Sequence, residues 1–378
     1  MRSTIYHAVR SRNRDLVEDY ISSLRKMDEW SLVSIIDELT PLALMESNLK
    51  YGSFHRIKMA LFLRRLAVRG LLSKETEREM ARLVSLDLAD REWVCISGSR
   101  QGLKREPVED ALDTMVIELD NGNAHNAYYY ALSSLQQDGD RLLQELLKLG
   151  TTAIPDTLGH SISCFWPVVE DIIYTDQASA DSALLSYILY LCRYSHDEDV
   201  LSEGFGSAKG EKDLDDLLVR CASGEGIVNL HHMITFYIGA AWERSSLCPE
   251  GGVPWGLIED WVGDKETDQG RYDGMEEMAT SGEAAETYED FAERFTLDEI
   301  DESVSLLLSS LEQDPESAID WIFRTYGSYY SPEWDPHYIT GLYCALELYL
   351  QTRETDRSAT LMAIDQAVRY FAQRIREK

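Results

Sequence analysis

Apolar residues recur every three or four positions along most of this chain, and this spacing constrains its fold more than any other feature. Residues 15–25, 54–69 and 360–375 each place their apolar side chains on one stripe of a helix. Residues 92–97 are the best candidate for a strand, and no alternation of strands and helices follows them. The spacing therefore predicts an all-α protein, a single large multi-helix array or bundle of about 14–17 helices.

One segment departs from this pattern. In residues 260–302, 16 acidic residues stand against three basic ones, and there is little apolar periodicity before Tyr288. This composition predicts that residues 260–295 form an acidic, mobile and solvated insertion, with a lid or a partner-binding segment as the alternative. We expect one large α-helical domain over residues 1–378, and it includes N-terminal helices in residues 1–50.

The charge of the chain excludes some classes of partner. It carries 67 acidic and 36 basic residues, for a formal net charge of −31. Nucleic acids and anionic membrane surfaces attract clustered Lys and Arg, so we expect neither as a partner. No apolar run approaches the roughly 20 residues of a spanning helix, and the first residues lack an apolar signal core. We therefore expect a cytoplasmic protein, while the sequence leaves its oligomeric state open.

The common motifs of nucleotide binding and hydrolysis are missing from the sequence. It has no G-x-x-x-x-G-K-[ST] loop, no G-x-S-x-G elbow and no H-E-x-x-H helix. The glycine-rich run at 204–210 does not join a predicted strand to a helix, so we expect neither a flavin nor a nucleotide cofactor. The six cysteines are too widely spaced along the chain for a zinc ribbon or a CxxC pair.

Several of the eight histidines are predicted to lie just inside the start of a helix. A capping-type residue stands two positions before four of them and three positions before a fifth. The four are His55, His125, His231 and His337, the fifth is His160, and His232 follows His231 directly. The remaining two, His7 and His196, look solvent-facing, and we do not count them as candidates.

This placement favours metal binding. The start of a helix is electropositive, which keeps an imidazole in the neutral form that binds metals. Several such helices that converge would form a histidine-rich site for iron, or less readily for zinc or copper. Because a single histidine in a first helical turn is ordinary, a structural role for each is the alternative. The candidate ligands are His55, His125, His160, His231, His232 and His337.

Aromatic residues lie close in sequence to most of these histidines. They are Tyr128, Tyr129, Tyr130, Phe165, Trp166, Phe236, Tyr237, Trp242, Tyr326, Tyr329, Tyr330 and Trp334. Large aromatic side chains at helical spacing are typical of an apolar core. The same side chains can also line a pocket for a flat, apolar ring system.

Four short motifs resemble those of the questin oxidase-like family. The run G-H-S-I-S-C-F-W-P-V-V-E at 159–170 resembles that family's G-H-x-x-I-x-x-x-x-A-x-E helix, and N-A-H-N at 123–126 resembles its N-x-H helix. The run H-H-M-I-T at 231–235 resembles its H-x-h-T helix, and D-P-H at 335–337 resembles its C-terminal D-x-H-x-x-K helix. The motifs follow the family's order and loosely span residues 53–378.

The resemblance implies an all-α oxidoreductase that holds a non-haem metal, Fe(II), without flavin. It also implies an oxygenase that acts on a small aromatic or polycyclic substrate, through Baeyer–Villiger-type oxygen insertion or ring cleavage. Carried over to this chain, its metal ligands would be His125, His160, His232 (or His231) and His337.

The family pattern has a Lys three residues after the last His, where this chain has Thr340. A Lys there could reach the metal and, as a carbamate, ligate it, whereas Thr cannot take that role.

Two functions of different kinds follow from the sequence. The first is the iron oxygenase, with its metal held by histidines at helix starts. The second is an α-helical, solenoid-like protein-interaction module that binds a partner on a concave face and has no catalytic activity. The distances between imidazole nitrogens distinguish the two functions. The oxygenase requires these nitrogens to lie about 3–4 Å apart, because they would bind one ion.

Overall fold

The computed structural model describes residues 4–27, 29–44, 54–90, 109–173, 177–194, 196, 211–265, 267–352 and 357–377. Every regular element within these ranges is a helix, and none is a strand, which confirms the all-α prediction. The strand candidate at 92–97 and the glycine-rich run at 204–210 lie outside the described residues. In the described ranges, no helix combines the length and the apolar character that crossing a membrane needs.

The helices follow one another along the whole chain. The first are α1 (Thr4–Arg10), α2 (Arg14–Ser23), α3 (Leu32–Ala43), α4 (His55–Val68) and α5 (Lys74–Ala89), with a 3-10 turn at Leu24–Lys26. The middle of the chain forms α6 (Ala111–Asp120), α7 (Ala124–Gln137), α8 (Gly139–Thr152), α9 (Ile154–Thr157), α10 (His160–Ser163), α11 (Phe165–Val168), a π-helical turn (Val169–Ile173) and α12 (Gln177–Leu191). The last part forms α13 (Glu211–Ala222), α14 (Gly226–Glu243), α15 (Trp255–Val262), α16 (Gln269–Ser281), α17 (Tyr288–Arg294), α18 (Ile300–Gln313), α19 (Pro315–Ser328), α20 (His337–Thr352) and α21 (Arg357–Arg376).

The helices outnumber the predicted 14–17 partly because the chain between α8 and α12 is divided into one-turn pieces. Leu158 and Gly159, with φ of 53° and 75°, adopt the left-handed conformation and separate α9 from α10. A Cβ at position 159 would collide with the side chains of Thr235 and Trp261. Glycine at this position therefore permits both the turn and the close approach of α10 to α14.

Four of the helices that carry candidate histidines, α4, α10, α14 and α20, pack together. α4 contacts α11 and α20, and α14 contacts α10, α20 and α21. Their apolar faces form part of a continuous core, in which Ile57, Ile234 and Leu342 are fully buried. This packing brings the starts of α4, α10 and α20 close to the second turn of α14.

Many of the aromatic residues near the histidines belong to this core. Phe165 stacks on Tyr187 with ring centroids 3.4 Å apart, and the Phe54 ring centroid lies 4.3 Å from that of Phe165. Trp166 and Trp242 are also buried. At these positions the structure shows the apolar core that is typical of such side chains.

The acidic segment at 260–302 is not the continuous loop that its composition predicts. It contains α16 and α17 and the start of α18. Asp268 caps α16 by accepting a hydrogen bond from the backbone N–H of Arg271 at 3.0 Å. α16 packs against α18 and α21 and buries Met275 and Ala279. Few apolar contacts are enough to dock this helix, so the sequence carries no clear periodic signal for it.

A buried ionic contact also anchors the acidic segment. Asp365 on α21 has no exposed surface and pairs with the guanidinium of Arg271 on α16. The same carboxylate accepts a hydrogen bond from Nε of Arg369 at 2.7 Å. Asp365 therefore ties α16 to the last helix through two arginines.

We expect Asp365→Ala to lower the free energy of unfolding by about 3–5 kcal/mol, because it leaves the Arg271 guanidinium buried without its anion. Urea denaturation followed by circular dichroism measures this loss. The matched control is Asp37→Ala, which removes a partly exposed pair with Arg64 between α3 and α4 and should cost about 0.5 kcal/mol or less. Equal losses in the two variants would contradict the anchoring role of Asp365.

Candidate metal centre

Four histidine side chains from four helices meet at one point in the structure. His55, His160 and His337 are the first residues of α4, α10 and α20, and His231 lies in the second turn of α14. The Nε2 atoms of His55 and His160 are 2.7 Å apart, and those of His231 and His337 are 2.8 Å apart. One ligand nitrogen from each ring lies within 4.8 Å of all the others. The four histidines can therefore hold a metal ion together, and we call them the four-histidine cluster.

Hydrogen bonds at Nδ1 orient two of these rings. The His160 Nδ1 atom lies 2.5 Å from the carbonyl oxygen of Thr157, and the His337 Nδ1 atom lies 2.6 Å from Oδ1 of Asp335. In this arrangement Nδ1–H donates, and the lone pair remains on Nε2, which faces the other rings. Asp335 also accepts a hydrogen bond from the Tyr370 hydroxyl at 2.7 Å. Metal-binding histidines in proteins commonly have such partners.

Burial favours the neutral form of the imidazoles. It is the main cause that lowers the pKa of His55, His160 and His231 well below the ordinary value of 6.5. The positive charges of neighbouring histidines and of Lys58 lower these pKa values further. Because neutral imidazole is the form that binds metals, these rings are ready to act as ligands at neutral pH.

Asp335 provides a negative charge beside the cluster. Burial raises its pKa, but the charge of His337 and the hydrogen bonds from His337 and Tyr370 outweigh this effect and hold the pKa of Asp335 well below its ordinary value. An ionised carboxylate at Nδ1 makes the opposite nitrogen of His337 a better electron donor to a metal.

Sequence reasoning missed Lys58, which lies one turn after His55 on α4. Its side chain is completely buried beside the Cys164 thiol. Burial raises the pKa of that thiol, and the charge of Lys58 and a hydrogen bond from it oppose this rise. Its charge is one of the causes that lower the pKa of three cluster histidines, so the amine lies close to them. The H-x-x-K spacing at 55–58 is a signal that could have revealed it. Thr340, where the family resemblance places a Lys, is also fully buried.

The structure shows which of His231 and His232 faces the other cluster histidines, a choice that the sequence leaves open. Successive residues of a helix point about 100° apart, and only His231 faces the other three cluster rings. The His232 ring instead packs against Trp261, with centroids 4.3 Å apart, and its Nδ1 contacts Nζ of Lys265. Burial, followed by the charge of Lys265, lowers the pKa of His232 to about 4.

Three further histidines lie away from the cluster. His125, a predicted ligand, is exposed on the first turn of α7. His196 was expected to face solvent, but it is buried between α8 and α12, where its Nδ1 lies 3.1 Å from the Leu149 carbonyl oxygen. His7 is exposed, as expected.

One predicted helix start also differs in the structure. Asn229 was expected to cap the helix that carries His231, but α14 begins three residues earlier, at Gly226. The Asn229 side chain instead donates to the carbonyl oxygen of Glu225, at 2.5 Å. His231 therefore lies in the second turn of its helix rather than in the first.

Comparison of the chain with protein-family models, with curated proteins and with solved structures gives no match. The resemblance to questin oxidase-like proteins stays a prediction that rests on the four short motifs.

We expect the metal-free protein to lose stability as the pH falls below about 6.5, the ordinary pKa of histidine. Below this pH the histidines of the unfolded chain bind protons, whereas the buried imidazoles of the folded chain stay neutral. Protonation therefore favours the unfolded state. Urea denaturation at a series of pH values measures the effect. His231→Gln should make stability less dependent on pH, whereas the exposed control His125→Gln should not. A wild-type stability that stays constant between about pH 7 and pH 5 would contradict the neutral cluster.

Proposed function

We propose that this protein binds a transition-metal ion, Fe(II) by preference, in the four-histidine cluster and acts as a non-haem oxygenase. The observation that carries the proposal is the convergence of four imidazole rings from four helices. Imidazole ligands suit iron, copper, nickel and zinc. The choice of iron, the oxygenase activity and an aromatic or polycyclic substrate come from the resemblance to questin oxidase-like proteins.

The spacing of the nitrogens is compatible with ligation by one ion. For bonds of about 2.0–2.1 Å, a tetrahedral ion would hold its nitrogens roughly 3.4 Å apart. The pairs at 2.7 and 2.8 Å, within a group no wider than 4.8 Å, lie on either side of this separation. His55, His160, His231 and His337 would therefore hold the ion after small shifts of their side chains.

The surroundings of the rings support a preorganised site. Thr157 and Asp335 orient two rings from the side opposite the centre, and the helices that carry the rings pack into one core. Ligands whose orientation is fixed before the metal arrives bind it at a lower entropic cost. A bound iron would supply the oxygen chemistry, while the chain would hold the ion and exclude water through its buried faces.

Lys58 completes the proposed site. An ammonium group so close to the rings would repel a divalent cation, whereas a carbamate anion on the same nitrogen would attract it. An uncharged lysine amine that attacks CO2 forms an N–C bond, loses a proton and becomes a carbamate with one negative charge. We infer that Lys58 acts in this form, in the role that the resemblance assigned to a Lys at the position of Thr340. The complete burial of Lys58 close to three of the cluster rings supports this inference.

The metal centre is tested with untagged protein that is loaded anaerobically with Fe(II) and analysed for bound iron. We expect one iron per chain in the wild type, and a large loss in His160→Ala and in His337→Ala. The matched controls are His125→Ala and His232→Ala, which replace histidines outside the cluster and should keep the iron. Iron near zero in the loaded wild type would remove the proposal.

The same variants test the interaction-module alternative. It predicts no bound metal, and it predicts that each buried histidine contributes only packing and hydrogen bonds, on the order of 1–3 kcal/mol. The oxygenase activity is tested separately, by dioxygen uptake of the iron-loaded protein with polycyclic phenols and ketones as probes.

The role of Lys58 is tested by the effect of bicarbonate on metal affinity. We expect added bicarbonate to strengthen Fe(II) binding to the wild type but not to Lys58→Met, which keeps a long apolar side chain at the same place. Loss of a ligand should weaken binding at least about tenfold. Tighter binding in Lys58→Met would instead show that Lys58 acts only as a repelling charge, and it would contradict the carbamate.

A further inference from the structure

A line of aromatic side chains begins at the His337 side of the four-histidine cluster. The Tyr370 hydroxyl donates to Oδ2 of Asp335, whose Oδ1 accepts from Nδ1 of His337. The ring of Tyr338 lies 5.8 Å from that of Tyr370, and the ring of Trp334 lies 4.9 Å from that of Tyr338. The line is therefore joined to a proposed metal ligand through a single carboxylate.

The line continues to the surface. The ring of Tyr330 lies 6.0 Å from that of Trp334 and is only partly buried, whereas Trp334 and Tyr338 are almost completely buried. The Tyr330 hydroxyl donates to Oδ2 of Asp90 at 2.9 Å. Asp90 is in turn paired with Arg14 at 2.8 Å. We call Tyr370, Tyr338, Trp334 and Tyr330 the aromatic line.

The two ends of the aromatic line share one feature, a tyrosine whose hydroxyl donates to an aspartate. Tyrosine and tryptophan are the side chains most easily oxidised by one electron. A tyrosine that loses an electron becomes strongly acidic and gives up its phenolic proton, so an adjacent carboxylate makes the oxidation easier. Asp335 and Asp90 are placed to accept this proton at the inner and outer ends.

We propose that the aromatic line is an electron relay between the surface and the metal centre, an inference that rests on the proposed function. Its oxidant is the metal ion in its oxidised state, and its reductant is a one-electron donor at the surface. In the first step Tyr370 gives one electron to the oxidised metal and its phenolic proton to Asp335, which leaves a neutral tyrosyl radical.

The second step moves the radical outward. Tyr330 supplies an electron through Trp334 and Tyr338 to Tyr370, which also takes its proton back from Asp335. Tyr330 gives its own proton to Asp90 and becomes the radical. The surface donor then returns one electron to Tyr330, and the proton returns from Asp90. In the balance the metal is reduced by one electron, the surface donor is oxidised by one electron, and the protein is unchanged.

The relay is tested with iron-loaded protein that is oxidised by hydrogen peroxide without substrate and then frozen for electron paramagnetic resonance. We expect a tyrosyl radical in the wild type and its loss in Tyr370→Phe, which keeps the ring but removes the hydroxyl. In Tyr338→Phe the radical should remain at Tyr370, and peptide mass spectrometry should find less covalent oxidation of Tyr330. Zinc-loaded protein should give no radical, because zinc has no redox chemistry.

The matched control is Tyr349→Phe. Tyr349 is also buried and also donates to a carboxylate, that of Glu312 at 2.8 Å, but Glu312 pairs with Arg357 on α21 rather than with a histidine of the cluster. The radical should therefore survive this substitution. Thermal unfolding of each variant checks that the fold is kept, and Trp334→Phe provides a second break in the line if Tyr338→Phe is unstable.

Iron content is measured in the same samples, so the two proposals fail in different ways. Iron that does not bind removes the metal centre and the relay together. Iron that binds without producing a tyrosyl radical overturns the relay and leaves the metal centre intact. A radical that persists in Tyr370→Phe also overturns the relay, because it then resides elsewhere.

Discussion

The four-histidine cluster depends on burial that keeps His55, His160 and His231 uncharged. Nitrogens 2.7 and 2.8 Å apart would repel one another strongly if the rings were protonated. Burial removes this conflict, because it lowers the pKa of His55, His160 and His231. A buried ring N–H group also needs a hydrogen-bond acceptor. The carbonyl oxygen of Thr157 accepts from Nδ1 of His160, and Asp335 accepts from Nδ1 of His337. The burial of the cluster therefore accounts both for the uncharged rings and for the hydrogen bonds that orient two of them as possible metal ligands.

The four-histidine cluster has a positively charged residue on one side and a negatively charged residue on another. Lys58 brings a positive group towards three of the rings, and Asp335 brings a negative group to His337. A divalent ion would be attracted by the second and repelled by the first, which is why the chemical state of Lys58 matters for the proposed function. Asp335 also accepts a hydrogen bond from Tyr370. The same carboxylate therefore orients the His337 ring and contacts the first residue of the aromatic line.

The acidic segment shows why composition is a weaker guide than packing. Its charge predicted a solvated loop, yet α16 docks through Met275 and Ala279 and through the pair between Arg271 and Asp365. A helix with two buried apolar residues and one buried ion pair leaves almost no periodic trace in its sequence. The partner of Arg271 lies 94 residues further along the chain, where no local pattern could point to it.

The sequence by itself determined the all-α class, because apolar spacing acts within a few residues. It also indicated that three cluster histidines lie at helix starts. It could also propose that histidines converge. Only the tertiary structure decided that His231 rather than His232 joins them, that His125 remains outside, and that Lys58 lies beside them. The choice of His231 depends on the rotation of α14 and on its contacts with α10 and α20, which are distant in sequence and leave no local signature. The places of His125 and Lys58 depend on how α7 and α4 pack in the fold.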